Sequence, residues 1–175
     1  SGKMGFALAE ACAERGAEVT LVAGPVSLKT HHPAIKRIDV ESAGEMYQAA
    51  MTAFPSSDAA ILCAAVADYR PENASEQKIK RETEGEMTLH LVPNPDIAAS
   101  LGAIKREGQV MVGFALETND EATHAEGKLK RKNLDFIVLN SLRDQGAGFR
   151  CDTNKITIID NAGGVTSRSE ERRVG

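Results

Sequence analysis

Three observations predict an α/β fold with a doubly wound, mostly parallel sheet. Residues 58–66, 110–116 and 134–139 are nearly continuous apolar runs of strand length, the pattern of parallel strands covered on both faces. Helix-forming segments lie between the runs with short connections, and strand–helix alternation builds such a sheet. At 175 residues the chain has the size of one ordinary domain with a sizeable core.

Residues 5–15, rich in Ala, Leu and Glu, predict a helix with Gly16 at its C-cap. A strand over 18–23 ends at Gly24-Pro25, and a second covers 35–40. Ser42 N-caps a helix over 43–54 that stops before Pro55. After the first buried run, 68–78 reads as a polar loop. Residues 78–82 and 87–92 flank Glu84-Gly85 as arms of a protruding central hairpin. Asn94-Pro95 opens a helix to about 106, with Pro95 in its first turn and Asp96 at its positive end. The run 110–116, a charged helix over 120–132, the run 134–139 and an alternating strand over 155–160 follow, before the turn at 161–164. The pattern is a Rossmann-like single domain.

Composition narrows the function. With 21 Lys+Arg against 25 Asp+Glu the net charge is −4, which argues against a dedicated nucleic-acid binder. No run approaches the ~18 apolar residues of a membrane span, and the first residues lack the pattern of a signal peptide, so a cytoplasmic protein is expected. Cys12, Cys63 and Cys151 lie far apart without a CxxC, poor material for a zinc site or disulfide framework. Cys12 and Cys63 read as core thiols. No His/Cys/carboxylate cluster suggests a transition metal, and no metal ligand is assigned. The start at Ser1 is similar to the tail of a phosphate-binding loop, but Met4 follows Lys3 where Ser or Thr is required.

In a doubly wound sheet, ligands bind beyond the carboxyl ends of the strands, which directs attention to 64–71, 94–98, 113–118 and the chain from Asn140. Ala64 and Ala65 are small enough for a planar ligand to approach the backbone. Asp68 can bind a hydroxyl or a metal-bound phosphate, or simply begin a turn. Lys78 and Lys80 share one face of an extended segment, which suits a polyphosphate but also a solvated edge strand. Residues Pro95, Asp96, Ile97 and Ala98 open a helix whose N–H groups can hold an anion, although Asp96 also fits as an ordinary first-turn carboxylate. Phe114 can stack on a base or fill the core. Lys128 and Lys132, spaced i, i+4, can point at one ligand or form a solvated face.

Seven motifs occur in one order: Ser-Gly-Lys-Met-Gly, Val-Thr-Leu-Val-Ala-Gly-Pro-Val, Ala-Ala-Val-Ala-Asp-Tyr-Arg-Pro, Lys-Ile-Lys-Arg, Asn-Pro-Asp-Ile, Val-Gly-Phe-Ala-Leu-Glu-Thr and Lys-x-x-x-Lys-Asn-x-Asp. Together they resemble bacterial phosphopantothenate–cysteine ligase over about residues 1–166. The resemblance implies that 4′-phosphopantothenate and L-cysteine are joined with CTP and Mg2+ through an acyl-cytidylate, releasing pyrophosphate and CMP. It implies a nucleotide site of Ala64, Ala65, Asp68, Lys78, Pro95, Asp96, Ile97, Ala98, Phe114, Lys128 and Lys132, with Lys78 catalytic and Ser1 and Gly2 on the substrate side. It further implies a homodimer formed through the central hairpin. Flavin is expected only where a decarboxylase half is fused, and none is expected here.

Two departures accompany the resemblance. Arg81 stands where the family more often has Lys, keeping charge but changing donor geometry. The family's initial strand, and an Asn three residues before the position of Ser1, are missing, so little turnover is expected from the chain as it stands. Residues 168–175 resemble a translated sequencing adapter and are set aside as a non-native tail, leaving 1–167 as a single ligase domain lacking its first strand. Removing that tail leaves the chain acidic.

Two alternatives stay open. A nicotinamide-dependent oxidoreductase would need an acidic residue after the second strand, where Ala23-Gly24-Pro25 stands. A nucleotide-binding module without turnover is the other.

Overall fold

The computed structural model describes residues 2–73, 88–117, 121–141 and 155–169. Helix α1 (Lys3–Glu14) ends in a left-handed Gly16 (φ 93) whose amide donates to Ala13 O. Only a residue without a Cβ adopts that conformation at little cost, so the sequence stops the helix where predicted. Strands β1 (Val19–Ala23) and β2 (Ile35–Asp39) pair in parallel as a two-stranded sheet. Helix α2 (Ala43–Ala53) begins at Ser42 with a full capping box, Glu45 N donating to Ser42 Oγ while Glu45 Oε2 accepts from Ser42 N. A 3-10 turn at Phe54–Ser56 leads to β3 (Ala59–Leu62).

Strands β4 (Tyr69–Pro71) and β5 (Leu91–Pro93) form a short antiparallel ladder. Helix α3 (Ile97–Ile104) precedes β6 (Val110–Glu117), and α4 (Glu121–Arg131) precedes β7 (Phe136–Ser141). The chain then adds β8 (Lys155–Asp160) and β9 (Val165–Ser169). The main sheet has the order β3-β6-β7-β8-β9, parallel through β7 and antiparallel beyond it. This is the Rossmann-like α/β arrangement expected, a mixed sheet with flanking helices.

One face of that sheet is the core. Met111, Ile137, Leu139 and Ile159 alternate inward and meet Phe54, Leu101 of α3, Ala125 and Leu129 of α4, and Leu134. Met111 is fully enclosed, and truncating such a side chain typically costs about 2–5 kcal/mol. The opposite face is more open: Ile61, Val110 and Phe136 are 40%, 37% and 37% exposed. The expectation that these strands are covered on both faces therefore holds only in part: on that face Val138 is buried and Phe114 half-buried, while the strand starts lie open. Pairing and burial of one face suffice to hold them extended.

Several local expectations meet a different structure. The run 58–66 yields a strand only to Leu62, where its pairing with β6 ends. The loop over 68–78 contains β4, drawn into extended form by its ladder with β5. In the hairpin, β5 pairs with β4, and the arm at 78–82 lies outside the described residues. Helix α3 starts at Ile97 with Asp96 as its N-cap, so Pro95 stands outside the first turn. Beyond the Gly163-Gly164 turn, where the sequence predicts no strand, β9 reaches Ser169 and includes the first two residues of the tail that begins at Arg168. Its register with β8, from Ile159↔Val165 to Lys155↔Ser169, supplies a partner that local propensity does not reveal.

Candidate functional site

The carboxyl end of β3 opens the site. The register aligns Leu62 with Gly113, so the chain leaves β3 beside Phe114, and Ala64, Ala65 and Asp68 follow as exposed residues. Phe114 is half-buried and registered with Val138, on the sheet face opposite Met111. Helix α1 closes in from the other side: a Cβ on Gly5 would lie 3.1 Å from Cys63 Sγ. Burial pushes the Cys63 thiol up, which fits a packing thiol rather than a nucleophile. Gly2 is the N-cap of α1 with φ 73, and a Cβ there would meet Val26 Cγ1 at 3.2 Å.

Asn94 joins this exit to the start of α3. Its backbone amide donates to Asp68 O at 2.7 Å and its side-chain amide donates to Ala67 O at 2.9 Å. Its Oδ1 accepts from Arg70 Nη1 at 3.2 Å, and the same Nη1 donates to Pro93 O at 2.8 Å. The segment 64–68 and the segment 95–98 are thus stitched together by a residue that sequence reasoning treated only as a helix opener. Arg70 was likewise not singled out. An Asn before Pro signals a turn, but nothing local signals these long-range acceptors.

At the start of α3, Asp96 does two things. Oδ1 accepts the Ala99 amide at 3.0 Å, and Oδ2 lies 2.9 Å from Lys132 Nζ. Partial burial pushes the carboxyl pKa up, but the Ala99 amide, Lys132 and the Ala98 amide outweigh it and hold the group below its ordinary value. Asp96 is therefore the cap that the plain reading expects, with a lysine from the turn after α4 added.

The last turn of α4 carries Lys128, Lys130 and Arg131. It closes with Leu134 N on Leu129 O at 2.9 Å and Asn133 N on Lys130 O at 3.4 Å, and Asn133 is left-handed (φ 51). This is a Schellman ending with Asn in the position usually taken by Gly. Asp135, the last residue of Lys-x-x-x-Lys-Asn-x-Asp, is structural: Oδ2 accepts from Met111 N and Lys105 Nζ, each at 2.7 Å.

Asn94 thus ties Asp68 to the segment Pro95, Asp96, Ile97 and Ala98, with Ala64 and Ala65 earlier on the same strand exit, and Lys132 joins through Asp96. Lys128 lies in the last turn of α4, four residues before Lys132. Phe114 stands at the same strand ends on the other sheet face. Lys78 and Ser1 lie outside the described residues. Among the described residues no group of three or more His, Cys, Asp or Glu can hold a metal ion, and no helix is long and apolar enough to cross a membrane.

Known proteins share this sequence and fold. The coenzyme A biosynthesis bifunctional protein CoaBC of Vibrio parahaemolyticus is 52% identical over 160 residues, 91% of this chain and 40% of that protein. Its Escherichia coli (strain K12) namesake is 48% identical over 161 residues, 91% of this chain and 39% of that protein. A protein named cysteine/cysteine sulfinic acid decarboxylase, from an unknown prokaryotic organism, is 58% identical over 165 residues, 94% of this chain and 46% of that protein. The chain spans less than half the length of these curated relatives. The crystal structure of the C-terminal domain of CoaBC superposes with a TM-score of 0.78 at 34% identity, covering 96% of this chain and 73% of that one. A Cab2 mutant (H337A) in complex with phosphopantothenate-cysteine shares the fold, with a TM-score of 0.62 at 16% identity, covering 80% of this chain and 48% of that one. Residues 1–173 match the family described as the DNA/pantothenate metabolism flavoprotein C-terminal domain, and the chain belongs to that family.

Proposed function

We propose that this chain provides the ligase half of coenzyme A synthesis, joining 4′-phosphopantothenate to L-cysteine at the expense of CTP. A carboxylate oxygen of 4′-phosphopantothenate attacks the α-phosphorus of CTP, and the bond to pyrophosphate breaks. The cysteine amine then attacks the acyl carbon of this acyl-cytidylate, forming the amide as the C–O bond to CMP breaks. Attachment to phosphate turns a poor acyl donor into a good one, so the protein's task is to place charge around the triphosphate and hold the partners in register.

One observation carries this reading: the Lys132–Asp96 contact at the start of α3, beside the strand exit that Asn94 secures. The exposed Ala64, Ala65 and Asp68 lie along that exit, and the Lys132 ammonium stands at the α3 N-terminus. In this reading Ala64 and Ala65 admit the nucleotide, Phe114 contributes an aromatic wall, and Lys128 and Lys132 neutralise phosphate oxygens. Lys78 is the lysine assigned to catalysis, and Ser1 and Gly2 serve the phosphopantothenate side. Asp68 is the carboxylate that would face a triphosphate-bound Mg2+, which would supply charge neutralisation at the phosphates. The condensation changes no oxidation state, so flavin belongs only to a fused decarboxylase half. The reaction is placed in the cytoplasm.

The proposal includes a homodimer built on the β4–β5 ladder. Tyr69, Leu89 and Leu91 are 61%, 60% and 55% exposed. Register aligns Tyr69 with Pro93 and Pro71 with Leu91, so these apolar residues share one face of the ladder.

The test uses the complete protein that contains this chain. CTP with 4′-phosphopantothenate should yield pyrophosphate, and added cysteine should release CMP. ATP, GTP and UTP in parallel decide the base preference. Lys78→Ala should abolish most of the turnover, and undiminished activity would refute its role.

A further inference from the structure

We infer that Gly102 and Asn133 are positioning residues: they set the reach of Lys132 toward the start of α3, and so the place where a nucleotide phosphate is met. The inference rests on the nucleotide site proposed above and adds to it two residues that touch no substrate.

The geometry is a backbone seat. Helix α3 lies so close to the α4–β7 turn that a Cβ on Gly102 would overlap the Lys132 carbonyl oxygen and lie 2.8 Å from its carbon. Both offending atoms are main chain, so no flexible side chain can yield. Glycine within a helix costs about 1 kcal/mol relative to Ala, and α3, only eight residues long, carries it where the turn docks. Asn133 locks the other side. Its left-handed backbone ends α4, its Nδ2 donates to Gly102 O at 3.0 Å, and its carbonyl accepts from Lys105 Nζ at 3.0 Å.

The Lys132 backbone is therefore fixed against residue 102, while its Nζ meets Asp96 at the helix start. Six residues of helix span about 9 Å at 1.5 Å per residue. The lysine side chain has to run along α3 to bring Nζ to the cap. A turn displaced by about 1 Å carries the ammonium off that mark, and displacements of that size weaken preorganised sites strongly. Salt-bridge attraction alone would leave an ammonium at a half-exposed carboxylate free to wander, and the seat removes that freedom.

The experiment compares Gly102→Ala, Asn133→Gly and Lys132→Ala in the complete protein. Asn133→Gly keeps the left-handed backbone and deletes only the bond to Gly102, so it remains informative even if Gly102→Ala does not fold. Two quantities are read: CTP affinity by titration calorimetry, and the Asp96 carboxyl titration by NMR without nucleotide. Lys132→Ala should weaken CTP about tenfold, as expected for losing a charge-assisted contact. Gly102→Ala should do nearly the same, and Asn133→Gly about threefold less well than the unaltered protein. Neither should weaken CTP further once Lys132 is Ala, and in both Asp96 should titrate at higher pH, as in Lys132→Ala. Losses that multiply with Lys132→Ala, or an Asp96 titration unmoved by both substitutions, would overturn the seat. If Lys132→Ala leaves CTP binding unchanged, the nucleotide reading itself fails, whereas a raised Asp96 titration in Gly102→Ala would still uphold the geometric half.

Discussion

Lys132 Nζ and Asp96 Oδ2 stand 2.9 Å apart, and the other oxygen of that carboxylate caps α3 through the Ala99 amide. One side chain thus ties the end of one helix to the start of another. It also fixes what acid should do to the protein.

The Asp96 carboxyl is held below its ordinary value: burial raises it, but the Ala99 amide and Lys132 lower it more. Its contribution to stability is thus fully present above the unfolded carboxyl pKa of about 3.9 and is lost as pH falls through the lower folded value. Asp96→Ala should cost about 0.5–2 kcal/mol at pH 7, and Asp96→Asn less, because an amide oxygen still caps. Urea midpoints should show the gap between Asp96→Asn and the unaltered protein narrowing towards pH 3. A gap that stays constant would contradict the assignment.

Asn94 makes its bonds at the surface, so its replacement should be mild for folding and severe for binding. Asn94→Ala should lower stability by about 1 kcal/mol. The same change frees the 64–68 exit from the α3 start, and CTP affinity should fall by about tenfold or more. Equal small effects on both measurements would mean that the stitch does not shape the site.

Gln109 is the buried polar side chain among the described residues. Its Nε2 donates to Phe54 O at 3.0 Å and Ser57 O at 2.6 Å, and its Oε1 accepts from Arg106 N at 2.8 Å. Gln109→Leu strands three backbone groups and should cost about 2–3 kcal/mol in chemical denaturation. CTP binding, measured where the variant is still folded, should change little, since these bonds lie at the opposite end of β6.

The exposed ladder face gives a test of assembly. Leu91→Asp should shift the complete protein from dimer to monomer in sedimentation equilibrium while leaving its circular dichroism intact. A dimer that persists unweakened would move the interface elsewhere.

Much of this architecture was legible in the sequence because local rules were strong where the structure obeys them. Gly16 and the Ser42–Glu45 pair end and begin helices as their chemistry requires, and β8 was read with both ends correct. Tertiary pairing defeated the reading elsewhere. Tyr69–Pro71 and Val165–Ser169 carry weak strand signals and are extended because a neighbouring strand bonds to them. In the site, the helix opening at Asp96 and the i, i+4 lysines were visible as spacings. The contact between Lys132 and Asp96, and the convergence on Asn94, depend on chain segments far apart in sequence, which no local pattern encodes. Lys78 and Ser1 lie outside the described residues, so their places rest on the resemblance.

The β4–β5 ladder also fixes the two points between which the intervening stretch must run. From Asn94 N on Asp68 O to Glu72 N on His90 O, the two strands are closed on each other at the base. Glu72 and His90, which bracket the stretch, are held to each other by that clasp. Shortening the stretch to a tight turn should therefore yield a chain that folds around the same sheet, because the ends of the cut are already held at hairpin distance. Such a chain would lack Lys78 by design while keeping Asp96 and Lys132, so nucleotide retention and chemical turnover could be measured as separate properties.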